Sequence, residues 1–122
     1  MNAILIFLGG GLGAVLRHGV NRLTFAIWSA GFPAGTMVVN IIGSLLMGIF
    51  IGLFAAHPGI TPSARLFLTT GLLGGFTTFS AFSLDALTLY ERGQIGLALG
   101  YVAASVILSL AAIAVGFFAV RF

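Results

Sequence analysis

Long apolar stretches separated by short turn-forming segments dominate the pattern of this chain. Gly, Pro and short polar residues interrupt the apolar pattern at 29–33, 57–62 and 91–93. The stretches between these segments exceed the roughly 20 helical residues that cross a hydrocarbon core of about 30 Å. A membrane β-barrel is disfavoured, because it needs many short alternating segments instead. The pattern predicts a single transmembrane domain, 1–122, of four helices at about 2–27, 35–56, 64–90 and 94–120.

The composition excludes a soluble protein. Hydrophobic residues make up 60% of the 122 residues and charged residues only 6%, where a soluble domain carries roughly 25%. Five arginines and two acids cannot cover a water-facing surface, so the apolar surface must face lipid. The scattered arginines offer no basic cluster for nucleic acid, and the absence of cysteine excludes thiolate metal sites. We expect a multi-pass protein of the cell (inner or plasma) membrane.

Small residues indicate how these helices pack. The chain contains 18 glycines, and several form pairs four residues apart, at 9/13, 48/52, 71/75 and 96/100. In lipid, helices associate by close backbone approach, which small residues at this spacing permit. The pairs therefore predict tight helix packing, and in so short a chain they also suggest oligomerisation.

The arginines give little preference for one orientation in the membrane. With four spans, Arg65 and Arg121 lie near one side, while Arg22 and Arg92 lie near the other, with Arg17 deeper in the first helix. Orientation normally follows a clear excess of basic residues on one side. Near balance permits insertion both ways and hence an antiparallel homodimer; a single topology set by one arginine is the alternative.

The middle of the third span is unusual for a helix. Gly74-Gly75 followed by Thr77-Thr78 has poor helix propensity, and a break there would free backbone carbonyls at membrane depth. Freed carbonyls with hydroxyls nearby are hard oxygen ligands, suited to a small cation. The alternative is an intact helix that packs through its glycines.

Three side chains near the middle of the spans could act on an ion. Asn40, between two apolar residues of the second span, offers two N–H donors to an anion, or it bridges helices. Phe79 and Phe82 lie three apart on one helical face, and they are either core packing or ring edges for a small anion.

Further polar residues extend this set. Tyr101, Ser105 and Ser109 follow one face of the fourth helix as a polar track, with helix bridging as the alternative for each. Arg17 lies well inside the first helix, where an arginine is a functional candidate. It could attract anions into a vestibule or pair with a carboxylate, for which Asp85 and Glu91 are the candidates.

Three segments together resemble the Fluc family of fluoride channels, also called CrcB. They are GGGLGAVLRHGVNRL in the first span, GTMVVNIIGSLLMG in the second and, most specifically, TTGLLGGFTTFSAFSLD in the third. The resemblance covers essentially the full length, and the four spans and balanced arginines agree with it.

The resemblance implies an all-α, dual-topology antiparallel homodimer that is a passive fluoride channel and not an enzyme. It implies two fluoride pathways, and a central Na⁺ held by backbone carbonyls of both subunits. The positions that match the fluoride pathway are Asn40, Phe79, Phe82, Tyr101, Ser105 and Ser109, with Arg17 at the vestibule. The positions that match the Na⁺ site are Gly74 and Thr77.

Two other functions compete with this interpretation. A small drug/proton antiporter can also be a dual-topology dimer, but it needs a carboxylate in its binding chamber, and the first acid in the chain is Asp85. A scaffold subunit without transport would explain the glycines, but not Asn40 together with a broken third helix.

Overall fold

The computed structural model describes residues 1–28 and 31–121, and it contains four helical spans long and apolar enough to cross a membrane. Three of them are continuous helices: α1 (Asn2–Ile27), α2 (Ala34–Ala56) and α6 (Ile95–Arg121). Of the turn predicted at 29–33, residues 29 and 30 lie outside the described part. The chain is thus an all-α, multi-pass membrane protein.

The third span is divided into four pieces. They are α3 (Pro62–Leu66), a π-helical segment (Phe67–Leu73), α4 (Gly74–Phe76) and α5 (Phe79–Glu91). Thr61 caps α3, because its Oγ1 accepts a hydrogen bond from the N–H of Ala64 at 3.1 Å. The π-helical segment was not predicted from the sequence.

Helix α1 packs backbone to backbone against the π-helical segment and α4. A methyl group on Gly13 would overlap the carbonyl oxygen of Leu72, and one on Gly75 would overlap the carbonyl oxygen of Gly10. No residue with a side chain fits at either position. The glycine pairs 9/13 and 71/75 therefore act as predicted, on facing helices.

Helices α2 and α6 meet along a second glycine contact. A methyl group on Gly48 would overlap the carbonyl oxygen of Ile113, and one on Gly116 would overlap that of Leu45. Gly96 and Gly100, by contrast, have no other atom within 4 Å of a methyl group built there, among the described residues. The prediction of tight packing is therefore wrong for this last pair within the chain.

The packing of α5 on α6 positions the candidate site. Phe82, Leu89, Ala98 and Tyr101 form a small buried cluster between the two helices. Most large apolar side chains outside it are exposed, including those along α1 and the outer face of α6. This distribution is the one that lipid requires, since lipid solvates apolar side chains directly.

Candidate functional site

The third span is interrupted at Thr77 and Thr78. Both residues have extended backbone, with φ −87° and ψ 162° at Thr77 and φ −154° and ψ 122° at Thr78. The predicted break is therefore present. Of the four residues whose low propensity suggested it, Gly74 and Gly75 are helical, and the two threonines carry the extended conformation. Thr78 also restarts the helix, because its Oγ1 accepts a hydrogen bond from the N–H of Ala81 at 3.1 Å.

The break leaves backbone carbonyls without helical partners. In a continuous helix each carbonyl accepts a bond from the N–H four residues later. The N–H of Thr78, which would serve Gly74, donates instead to Oδ1 of Asn40 at 2.8 Å. The N–H of Ala81, which would serve Thr77, donates to the Thr78 hydroxyl. Among the described residues no donor reaches the carbonyls of Gly74 and Thr77, so both oxygens remain available as ligands.

Asn40 holds the break in place through two hydrogen bonds to one residue. Its Nδ2 donates to the Thr78 carbonyl at 2.9 Å, while its Oδ1 accepts from the Thr78 N–H at 2.8 Å. The helix-bridging role considered from the sequence is thus present. An amide carries two N–H donors, and only one is used here, so a second donor remains for a ligand.

The two phenylalanines of α5 have different surroundings. Their ring centroids are 5.4 Å apart, and the Phe82 ring lies 5.3 Å from that of Tyr101. Phe82 is buried in the cluster between α5 and α6, whereas the side chain of Phe79 is 77% exposed. Core packing within the chain therefore accounts for Phe82 and does not account for Phe79.

An open groove of about 350 Å³ collects most of the predicted site residues. Seven of the nine line it, namely Asn40, Gly74, Thr77, Phe79, Phe82, Ser105 and Ser109. Tyr101 and Arg17 do not. Ser44, Thr78 and apolar residues of α2, α6 and the third span complete the wall, and the lining contains no charged side chain. The groove can therefore hold a small ion only through hydrogen-bond donors, carbonyl oxygens and ring edges.

Ser105 places an unsatisfied hydroxyl in this groove. The residue is 4% exposed, and its Oγ has no hydrogen-bond partner in the described structure. A buried hydroxyl without a partner is costly, and it often marks a site that a ligand or water completes. Ser109, one turn further along α6, lines the same groove and is partly exposed.

Tyr101 separates the groove from a second cavity. Its ring contacts Phe82, while its hydroxyl donates to Oδ2 of Asp85 at 3.2 Å. Asp85 lines a cavity of about 310 Å³ between the ends of α1 and α2, which also contains Asn21, Thr24 and Thr36. The polar track predicted on α6 is therefore divided, with the two serines in the groove and the tyrosine hydroxyl turned toward the cavity.

Arg17 binds the broken span directly. Its Nε donates to the carbonyl of Gly75 at 3.2 Å. Neither Asp85 nor Glu91 forms an ion pair with it among the described residues, so the second alternative considered for Arg17, a carboxylate partner, is not present within the chain. The sequence did not predict this contact, because its acceptor is a backbone carbonyl, and every residue has one.

Sequence reasoning also missed how closely α2 fits the break. Gly43 lies one turn after Asn40, and a methyl group there would overlap the side-chain methyl of Thr77. In the sequence, the only feature that indicates this contact is the position of Gly43 three residues after Asn40, on the same face of α2.

Comparisons with known proteins give the family. Residues 4–117 match the family described as CrcB-like protein, camphor resistance (CrcB). A "Fluoride-specific ion channel FluC" of Rhodopseudomonas palustris (strain BisB5) is 50% identical over 121 residues, which cover 99% of this chain and 98% of that protein. A protein of the same name from Cereibacter sphaeroides (strain ATCC 17029) is 54% identical over 116 residues, which cover 95% of this chain and 91% of its own. The chain belongs to the CrcB family.

Proposed function

We propose that this chain forms a fluoride-selective channel that lets fluoride leave the cell passively. The relatives named above as fluoride-specific ion channels support the substrate, and a channel has no enzymatic activity. The uncharged, donor-lined groove is the observation that carries the proposal within the structure. It offers the second N–H of Asn40, the hydroxyl of Ser105 and the ring edges of Phe79 and Phe82.

The chemistry of the groove suits a small, strongly hydrated anion. A pore must replace the water around fluoride, and N–H and O–H donors do so directly. The edge of a phenyl ring is weakly positive, so it adds attraction without a full charge. Conduction requires that an ion enter and leave easily, which a fixed cation in the groove would oppose. The N-terminal end of α5, whose dipole is positive, begins beside the groove at Phe79.

Arg17, Ser109 and Tyr101 complete the proposed route. Ser109 extends the donors along α6, and Tyr101 leads from Phe82 toward the second cavity. The Nε of Arg17 is used on Gly75, but its remaining N–H groups can attract anions into the vestibule.

The dimer and the sodium ion belong to the same proposal. Two copies in opposite orientations would give two pathways per dimer, which the near balance of arginines supports. The free carbonyls of Gly74 and Thr77 fit a central Na⁺ shared by both copies, because a small cation prefers hard oxygen ligands. A cysteine at Pro58 should label from both sides of the membrane, and one-sided labelling would exclude dual topology.

Flux from liposomes tests the function. Purified protein should release fluoride passively when an ionophore clamps the membrane potential, with no dependence on a proton gradient, and it should release chloride far more slowly. Proton-coupled release would favour an antiporter, and no release would favour a scaffold. Chloride release as fast as fluoride release would refute the selectivity.

A further inference from the structure

We infer that Arg17 sets the cation specificity of the break by capping the Gly75 carbonyl, so that this oxygen cannot act as a ligand. The inference rests on the proposed sodium site. It assigns Arg17 a positioning role that is separate from any attraction of anions, since it uses a different atom of the guanidinium group.

The position of Arg17 follows from the backbone contact between α1 and the third span. Gly13 lies against Leu72, and Gly75 lies against Gly10, with no space for a side chain at either glycine. Arg17 is one helical turn after Gly13 and therefore lies on the same side of α1. The close contact holds its Nε at 3.2 Å from the Gly75 oxygen.

Capping decides how many oxygens remain at the break. The carbonyls of Gly74 and Thr77 have no donor, while Asn40 occupies the carbonyl of Thr78 and Arg17 occupies that of Gly75. In carbonyl-lined sites, the number of coordinating dipoles is one of the two factors held to separate Na⁺ from K⁺. Without Arg17, each chain would offer a further oxygen, and the site would accept the larger K⁺ more readily.

Two substitutions separate capping from charge. In Arg17→Gln, the amide nitrogen is as many bonds from Cα as Nε of arginine, so a donor is kept while the charge is lost. In Arg17→Met, a methyl group takes the same place, so both donor and charge are lost. An effect of charge alone would make the two variants equal. Arg22→Met is the control, because it removes an exposed arginine of the same helix.

The measurement is the thermal unfolding of the full-length protein in detergent. NaCl or KCl replaces N-methylglucamine chloride stepwise at constant ionic strength, and the unfolding temperature is followed. The half-stabilising concentration of each cation is the one that gives half of the maximal rise in unfolding temperature. The K⁺/Na⁺ ratio is the half-stabilising concentration of K⁺ divided by that of Na⁺. We expect this ratio to be the same in wild type, Arg17→Gln and Arg22→Met. In Arg17→Met it should fall about tenfold, because K⁺ binds more readily.

Each outcome decides between the proposals. Equal ratios in Arg17→Gln and Arg17→Met would overturn the capping role while leaving the sodium site intact. An absence of Na⁺ stabilisation in the wild type would refute the sodium site and this inference with it. If Arg17→Met does not fold, the ratio in Arg17→Gln decides: a wild-type value supports capping over charge, because only the donor is kept, and a lost value refutes capping.

Discussion

The contact between α2 and α6 and the break in the third span are held together by different forces. At the first, Gly48 and Gly116 bring two regular helices into backbone contact, and their main chains keep their own hydrogen bonds. At the second, Thr77 and Thr78 leave the helix, and Asn40 of α2 supplies hydrogen bonds that the backbone has lost.

The difference shows that α2 has two roles in lipid: it packs against α6, and it supplies hydrogen bonds to the break. Between apolar helices there is no hydrophobic driving force, so stability comes from close packing that only small residues allow. Irregular backbone is tolerated at membrane depth only where protein satisfies its polar groups. A bulky residue in the contact between α2 and α6 should therefore lower the free energy of unfolding. Exchange of a polar residue at the break should mainly lower the fluoride flux.

The largest expected effect on stability comes from Gly116→Leu. Its side chain would overlap the backbone of Leu45 and Ile49, and the helices would have to separate. We expect a loss of about 3 kcal/mol in the free energy of unfolding, measured by denaturant titration in mixed micelles. Gly96→Leu, where no atom lies within 4 Å in the described chain, should change it by less than about 0.5 kcal/mol. Equal losses would mean that the contact between α2 and α6 is not close-packed.

Asn40→Asp should act on both stability and conduction. The substitution removes the donor to the Thr78 carbonyl and places an acceptor, with a possible charge, beside it. We expect a loss of about 1–3 kcal/mol in stability and a fall of at least about tenfold in fluoride flux from liposomes. Asn2→Asp makes the same exchange on an exposed residue at the start of α1, and it should conduct normally. Normal flux through Asn40→Asp would remove Asn40 from the proposed pathway.

Phe79→Ile should lower conduction with the smallest change in stability. The ring is 77% exposed within the chain, so its removal leaves little unpacked, but the groove loses an aromatic edge. We expect fluoride flux to fall about tenfold while unfolding changes by less than about 0.5 kcal/mol. Phe7→Ile is the matched control, because Phe7 is 78% exposed on α1, away from the groove. If the two variants conduct alike, ring edges do not contribute to the pathway.

The sequence was sufficient for the spans and for most members of the groove. Long apolar stretches specify helices in lipid, because each span must satisfy its own backbone, so the observed bounds of α1 and α2 lie within about one residue of those predicted. Asn40, Ser105 and Ser109 could be selected because polar residues are rare within such spans.

The details of the break could not be read from the sequence. Propensity indicated the whole segment from Gly74 to Thr78, whereas only Thr77 and Thr78 are extended, since contacts with α1 and α2 decide which residues leave the helix. The π-helical segment differs from an α-helix only in hydrogen-bond register, which propensity does not resolve. The partner of Arg17 was missed because backbone acceptors carry no signal in sequence.

The bridge from Asn40 to Thr78 has a consequence for the order of assembly. If the third span were alone in lipid, the break would expose unbonded carbonyls, each at a cost of several kcal/mol. The isolated span is therefore most stable as a continuous helix. The extended residues become favourable only when Asn40 and Arg17 are close enough to bond to them. Both partners lie on spans that precede the third in the chain, so they are already made when it enters the membrane. The break is thus a product of helix docking, and it can form as soon as the third span packs against α1 and α2.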